Sequence, residues 1–330
     1  LKIVKLYILN LVVLLIAIWL SITIGTLPIT FHQLWEALLH FNAQIYEHIV
    51  IHDLRIPRTI IGLGVGMSLA LAGAATQGIT NNPLSGPSIL GVNNGAAFAI
   101  VLGYQLLSPI NAFGLFLIAF VGGVVTLLIV LAIAMAGNSV VSPSKMVLAG
   151  VVVSSLLSAW TSGLLLLNQE ILDQFRFWLV GSISGRNVNY FYHLLPINLI
   201  STLGLFILAP RINILNMGEE RAKSIGMNSK SVRLLTSVFA VCLAASSVSI
   251  AGPIAFVGLA VPHIARKMIG TNYRQIMVLS IIQGPAFLLL ADTIGRIIAV
   301  PSEVQVGIVT AMIGAPLLIM IASSRRLKFE

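Results

Sequence analysis

The feature that most constrains this chain is a succession of apolar runs, each about as long as a bilayer is thick. A helix needs about 20 residues to cross a hydrocarbon core ~30 Å deep. Ten runs are read as spans: residues 6–27, 58–80, 89–107, 112–136, 146–167, 191–209, 232–250, 252–265, 276–298 and 304–322. Of the 330 residues, 58% are hydrophobic and only 9% charged, whereas a water-facing domain carries roughly a quarter charged residues. The bilayer is therefore the expected solvent, and lipid admits only helices and closed barrels. Runs this long select helices. The expected fold is an all-α membrane protein of ten transmembrane helices, one domain over residues 1–330.

The eighth run is short, and Ala251-Gly252-Pro253 separates it from the seventh. Unbroken, 232–265 would be about 50 Å long, too long to cross simply. Charge placement tests the break. With ten spans and the N-terminus inside, the outer Lys and Arg are Arg55, Arg58, Arg176, Arg186 and Arg296, and the other fourteen of 19 lie inside. Merging the two runs erases that positive-inside bias. The formal charge of +9 is spread between runs rather than gathered on one patch, which fits topology and anionic lipid better than nucleic acid. The first run lacks a small-residue cleavage pattern and is expected to be a span rather than a removable signal. Cys242 is the single cysteine, so an intrachain disulfide is excluded.

Two outer segments are unlike ordinary loops. Residues 28–57 hold His32, His40, His48 and His52, while 169–190 is half apolar and reads as re-entrant or interfacial, with Trp178 at headgroup depth. A weak inverted repeat is suggested by Ala72-Gly73 before Pro83 and Ala251-Gly252 before Pro262, at the same offset.

Three polar constellations stand out. Arg55 and Arg58, spaced i and i+3 around Pro57, project to a similar side at the outer mouth, and Arg296 ends span nine four residues after Asp292. They serve either as headgroup anchors with a local Asp292–Arg296 pair, or as a docking surface for an acidic partner, since arginine forks bind carboxylates in fixed geometry. Inside, Gly218 to Gly226 (GEERAKSIG) reads as a short amphipathic helix fitted to a partner's cleft, or as a charged linker. Between spans two and three, Gln77, Asn81, Asn82, Pro83, Leu84 and Pro87 put amides and prolines near membrane depth, as a gate wall or a tight turn would.

Catalytic readings fail. The chain has no GxxxxGK[ST], no HExxH and no cysteine pair, and His263 has no second ligand near it in sequence. No catalytic or metal-ligating residue is expected. Spans almost free of ionisable groups, with Asp292 neutralised by Arg296, also leave little to couple protons or sodium. The energy source is expected to lie outside this chain.

Seven pieces in order resemble the permease family of ABC importers for ferric siderophores, haem and cobalamin (FecCD-type): LRIPRT (54–59), GMSLALAGAATQGITNNPLSGPSILGVNNGA (66–96), MVLAGV (146–151), GEERAKSIG (218–226), AGPIAFVGLAVPHIAR (251–266), LLLADTIGR (288–296) and VQVGIVTAMIGAPLLIMI (304–321). The resemblance implies a ten-helix subunit, like that of the cobalamin importer. It pairs with a second, identical or homologous permease and encloses a pathway at the interface. It also implies two cytoplasmic ATPase subunits, which bind the ATP and magnesium, and an extracytoplasmic substrate-binding protein. No cofactor is implied for this chain itself. The place is a bacterial cytoplasmic membrane, with both termini cytoplasmic. By position, Arg55, Arg58 and Arg296 match arginines that receive glutamates of the binding protein. Gly218, Glu219, Glu220, Ala222 and Gly226 fall in the segment that seats in the ATPase. Asn82, Pro83 and Leu84, with Ser142 to Ser144, match cytoplasmic gate positions. The chain departs from the family's usual NPLA-x-P by reading NPLSGP, with Asn81 in place of a commonly charged or longer residue.

A ferric siderophore is the expected cargo, with haem or cobalamin as alternatives, and the pathway wall is expected to be apolar so that it binds weakly. A lone ion-coupled carrier is the competing class, distinguished by uptake that ignores ATP and follows the proton gradient. An embedded enzyme lacks a nucleophile–base pair.

Overall fold

The computed structural model describes residues 2–107, 110–136 and 143–324. Its helices are α1 (Lys2–Thr23), α2 (Phe31–Leu39), α3 (Tyr46–Ile49), α4 (Ile56–Thr80), α5 (Val92–Leu107), α6 (Ala112–Met135), α7 (Pro143–Leu167), α8 (Gln169–Leu179), α9 (Val188–Leu215), α10 (Glu219–Ser224), α11 (Ser229–Ala251), α12 (Val257–Ile269), α13 (Tyr273–Ile298) and α14 (Val306–Ser324). Seven of these stretches are long and apolar enough to cross a membrane, and Val92–Leu107 and Val306–Met320 are shorter apolar helices. With α12 the set makes ten, as expected.

Helix starts follow from local chemistry. Side chains of Asn111, Asn168, Asn187, Asn228 and Asn272 each accept a backbone N–H at the first turn of α6, α8, α9, α11 and α13, which satisfies donors that no intrahelical partner reaches. Thr30 and Gln33 form a reciprocal capping box on α2.

Several boundaries differ from the sequence expectation. Span two does not begin at 58: α3 runs through a π-helical stretch, Val50–Arg55, into α4. Much of 28–57 is therefore helical, and its residues Ile29, Leu34, Ala37, Val50 and Ile51 pack into a small apolar cluster. Span six extends to Leu215, through Pro196 and Pro210. The eighth span is displaced. After Ala251 the chain leaves the helix at Gly252 (φ 72), turns at Phe256 (φ 68) and enters α12 only at Val257. At ~1.5 Å per residue its 13 residues reach about 20 Å, a partial crossing. The sequence echo has no local counterpart: Ala72-Gly73 lies inside unbroken α4, whereas Ala251-Gly252 ends α11. Residues 169–179 are the amphipathic helix α8, with Trp178 stacked on Phe175.

The core is organised around α4, which packs on α13, α11, α12 and α9. Of its most apolar stretch 83% is buried, against 11% for the peripheral α1. Without a hydrophobic force between helices in lipid, close backbone approach supplies the adhesion. Gly66 meets Gly284 and Pro285 of α13, and Gly73 meets Gly258 of α12.

Candidate functional site

Arg55, Arg58 and Arg296 meet at one end of the bundle, and Asn82 and the Gly218–Gly226 segment lie at the other, because α4 and α9 run between them. At the arginine end, Arg58 grips Asp292 with both prongs, Nε to Oδ2 at 2.9 Å and Nη2 to Oδ1 at 2.7 Å. Its Nη1 donates to Glu303 Oε2 at 2.7 Å and Ser184 Oγ at 3.0 Å. Arg296 shares Asp292, donating Nε at 3.0 Å and Nη2 at 2.5 Å, and sends Nη1 to the carbonyls of Ser21 and Ile24. Arg55 donates to the carbonyls of Ile22, Thr23 and Leu27. Two cations thus cap the C-terminus of α1, where orphan carbonyls gather.

Arg55 and Arg296 are only 6% and 2% exposed and are spent inside the protein, so of the three only Arg58, at 11% side-chain exposure, lies near the rim. The local Asp292–Arg296 pair is present as well. A hollow of about 380 Å³ opens here, and its wall includes an arginine that the motifs did not single out, Arg186.

At the opposite end α4 stops at Asn81, whose φ of 51 takes the chain out of the helix. Asn82 then closes a turn, accepting the Leu84 N–H on its side chain and the Ser85 N–H on its carbonyl. Asn82 and Ser144 line one hollow of about 370 Å³ with Thr80, Pro143 and Val151, while Pro83 is buried and Leu84 exposed. Ser142 lies outside the described residues. Gln77, expected on the gate, faces no such space: it is fully buried and braces α4 to α12 through the Leu259 carbonyl at 3.1 Å.

The Gly218–Gly226 segment is a small docked unit. Ala222 is fully buried against Leu215 and Val232, which explains a residue no larger than alanine there. Gly218 (φ 113) and Gly226 (φ 75) make the turns into and out of α10. Glu219 pairs with Lys223 at 3.4 Å and faces buried Arg233 at 3.8 Å, whereas Glu220 is exposed. Ala222→Glu would force a carboxylate into that apolar seat. Limited proteolysis is expected to cut residues 216–228 at least about tenfold faster in this variant, since opening the segment then costs less. An unchanged cleavage rate would contradict the packing.

The motif search missed a fourth feature. Ser154, Ser155, Ser158 and Ser162 of α7, with Ser88 and Asn94, line an open cleft of about 630 Å³. Val151 belongs to this cleft and to the hollow of Asn82 and Ser144, so the two spaces adjoin across Val147, Leu148 and Val151, and the serine track itself runs from Ser154 to Ser162. Hydroxyls along the outside of a spanning helix are costly against lipid, so this face looks onto water or another protein. Hydroxyls and the Asn94 amide dominate its lining. Its signal was in the sequence: serines at i, i+4 and i+8 share one side of a helix.

A polytopic helical bundle with a serine-lined cleft on its outside and a short helix docked at one end has the form of a membrane transport subunit. The chain belongs to the FecCD transport family, whose profile matches residues 13–324. It is 38% identical over 310 residues to YfiZ of Bacillus subtilis (strain 168), named "Probable siderophore transport system permease protein", covering 94% of this chain and 93% of that one. It is 39% identical over 311 residues to the ferric enterobactin transport system permease protein FepD of Escherichia coli (strain K12), covering 94% and 92%. A solved structure described as an inward-facing metal-chelate type ABC transporter superposes with a TM-score of 0.84 at 29% identity, covering 97% of this chain and 99% of the other.

Proposed function

We propose that this chain is the membrane-spanning subunit of an ATP-driven importer of ferric siderophores, and that the serine track of α7 is its half of the pathway. The observation that carries the reading is the track itself. It is open to one side, so a second permease subunit, identical or homologous, must close it. Neutral hydroxyls offer donors and acceptors without charge, which suits a bulky polar chelate that has to be handed on rather than held. Relatives named for enterobactin, Fe(3+)-citrate and iron(3+)-hydroxamate share a ferric chelate as cargo and differ in the chelator, which favours a wall of this undemanding chemistry.

Each end then has its partner. The arginine end faces outward and receives the acidic surface of a substrate-binding protein, with Arg58 at the rim. The end with α10 faces the cytoplasm, where Glu220 and the exposed Ile225 meet an ATPase subunit. Movement of α10 reaches the Asn82–Ser144 gate through α9 and α11.

The test is uptake of radiolabelled ferric siderophore into vesicles holding the assembled transporter, its binding protein outside and ATP within. Ser158→Phe fills the track and is expected to lower uptake at least about tenfold while the ATPase subunits still co-purify, a loss equivalent to about 1.4 kcal/mol or more in the barrier. Uptake that persists without ATP and collapses with the proton gradient would replace this reading by a secondary carrier.

A further inference from the structure

Four guanidiniums belong to the outer hollow, and three have been accounted for. Arg55 is spent on α1 carbonyls, Arg296 on Asp292 and α1, and Arg58 on Asp292 and Glu303. Arg186 differs. It precedes α9 in the turn that includes Gly185 (φ 66), and only its Nε is used, donating to the Ser182 carbonyl at 3.1 Å. Its two Nη groups have no hydrogen-bond partner among the described residues, and no carboxylate there lies within ion-pair distance of it. It is nevertheless partly enclosed, lining both the 380 Å³ hollow and a neighbouring one of about 300 Å³ walled by Tyr104, Trp178 and Tyr190. Burial lowers its pKa from the ordinary arginine value, with only the Tyr104 hydroxyl acting the other way.

A partly enclosed cation without a counter-charge is costly unless an anion joins it. The same hollow shows which anion it accepts. Glu303, 32% exposed on its side chain, already reaches Arg58 from the rim at 2.7 Å. Counting Asp53, which also lines the space, and Asp292 behind Arg58 and Arg296, three carboxylates stand against four guanidiniums, so this end carries one net positive charge, and Arg186 is the guanidinium there whose Nη groups are free.

We propose that Arg186 is the open carboxylate seat of this end, receiving with its free Nη pair an acidic side chain of the substrate-binding protein. The proposal rests on the docking reading above and reassigns its chief contact. Arg186 and Arg58 touch the partner; Arg55 and Arg296 hold the platform. Glu303 is a stand-in carboxylate on Arg58, so removing it frees a second seat. Arg186 lies on a turn rather than a span, and a Cβ at adjoining Gly185 would meet nothing within 4 Å, so the partner can approach.

The experiment measures affinity of the assembled transporter, in nanodiscs, for the binding protein that supports uptake in the vesicle assay. Arg186→Gln is expected to weaken binding at least about tenfold and Arg186→Glu further, with Arg186→Lys falling between native and Arg186→Gln because an ammonium keeps the charge but cannot fork. Glu303→Gln is expected to tighten it severalfold. A second readout needs no variant: phenylglyoxal should modify Arg186 in the native complex and spare Arg55 and Arg296, and the binding protein should protect Arg186. If Arg186 variants bind within twofold of native while Arg58→Glu abolishes binding, or if the binding protein gives no protection, the assignment is overturned and docking stands. If Arg58→Glu and Arg186→Glu both bind as native, the docking reading falls with it.

Discussion

Asp292→Ala should be the most damaging single change at the arginine end, lowering stability by about 3–5 kcal/mol. Asp292 is 1% exposed and is the one carboxylate on which both Arg58 and Arg296 close. Removing it strands Arg296, itself 2% exposed, with a charge that the remaining Ser21 and Ile24 carbonyls offset only in part. Three helices meet through this residue: α13 carries it, α4 brings Arg58, and α1 supplies the carbonyls. The melting temperature in detergent should fall by roughly 6–20 °C, taking about 2–4 °C per kcal/mol, as in large single domains. Asp292→Asn keeps the shape and one acceptor and should fall between the two. Glu303→Gln removes a rim partner of the same Arg58, worth about 0–1 kcal/mol, and should melt within a few degrees of native. An Asp292→Ala protein melting with the native chain would show that the two arginines are satisfied without it.

The same cluster shows where sequence reasoning stops. That Arg55 and Arg58 share a side followed from their spacing, and that Asp292 can reach Arg296 followed from i, i+4. Which neighbour stands opposite each side is tertiary information. Nothing local says that the carbonyl end of α1 returns to Arg55 and Arg296, or that Glu303 from beyond α13 comes back to Arg58. Spacing leaves both an anchoring and a docking role open to these arginines; only the packing shows that Arg55 and Arg296 are turned in.

Elsewhere legibility tracked the strength of the local signal. The spans were readable because apolar length in lipid has few alternatives. Starts at Asn111, Asn168 and Asn272 carried their own capping chemistry. The second span starts earlier than its apolar run because His48, His52 and Asp53 interrupt that run without interrupting the helix. Ser154, Ser158 and Ser162 were passed over for the opposite reason. A serine inside an apolar helix can return its hydroxyl to its own backbone, as Ser247 does to the Leu243 carbonyl, so only the packing tells an open serine face from a closed one.

Gly73→Ala is expected to have an effect as large as the loss of Asp292, from a single methyl group. Gly73 sits in the most enclosed helix, and a Cβ there would fall on the Gly258 carbonyl of α12, which is backbone and cannot rotate away. The helices must separate or α12 must shift. Overpacking of this kind costs typically 1–3 kcal/mol and occasionally more, and here the helices cannot part freely, because Gln77, one turn further along α4, is tied to the Leu259 carbonyl. Separation would break that bond and leave a buried amide unpaired, adding about 1–3 kcal/mol. Membrane-inserted, monodisperse protein should fall at least about tenfold in yield, since stability losses of this size are amplified by cellular degradation. Gly163→Ala is the control: a Cβ there meets nothing within 4 Å, and alanine's better helix propensity should leave α7 unchanged or slightly firmer, by up to about 1 kcal/mol. If Gly73→Ala and Gly163→Ala accumulate and melt alike, then α4 and α12 are not held by backbone contact, and the Asn81–Asn82 turn at the end of α4 has more freedom than this packing allows.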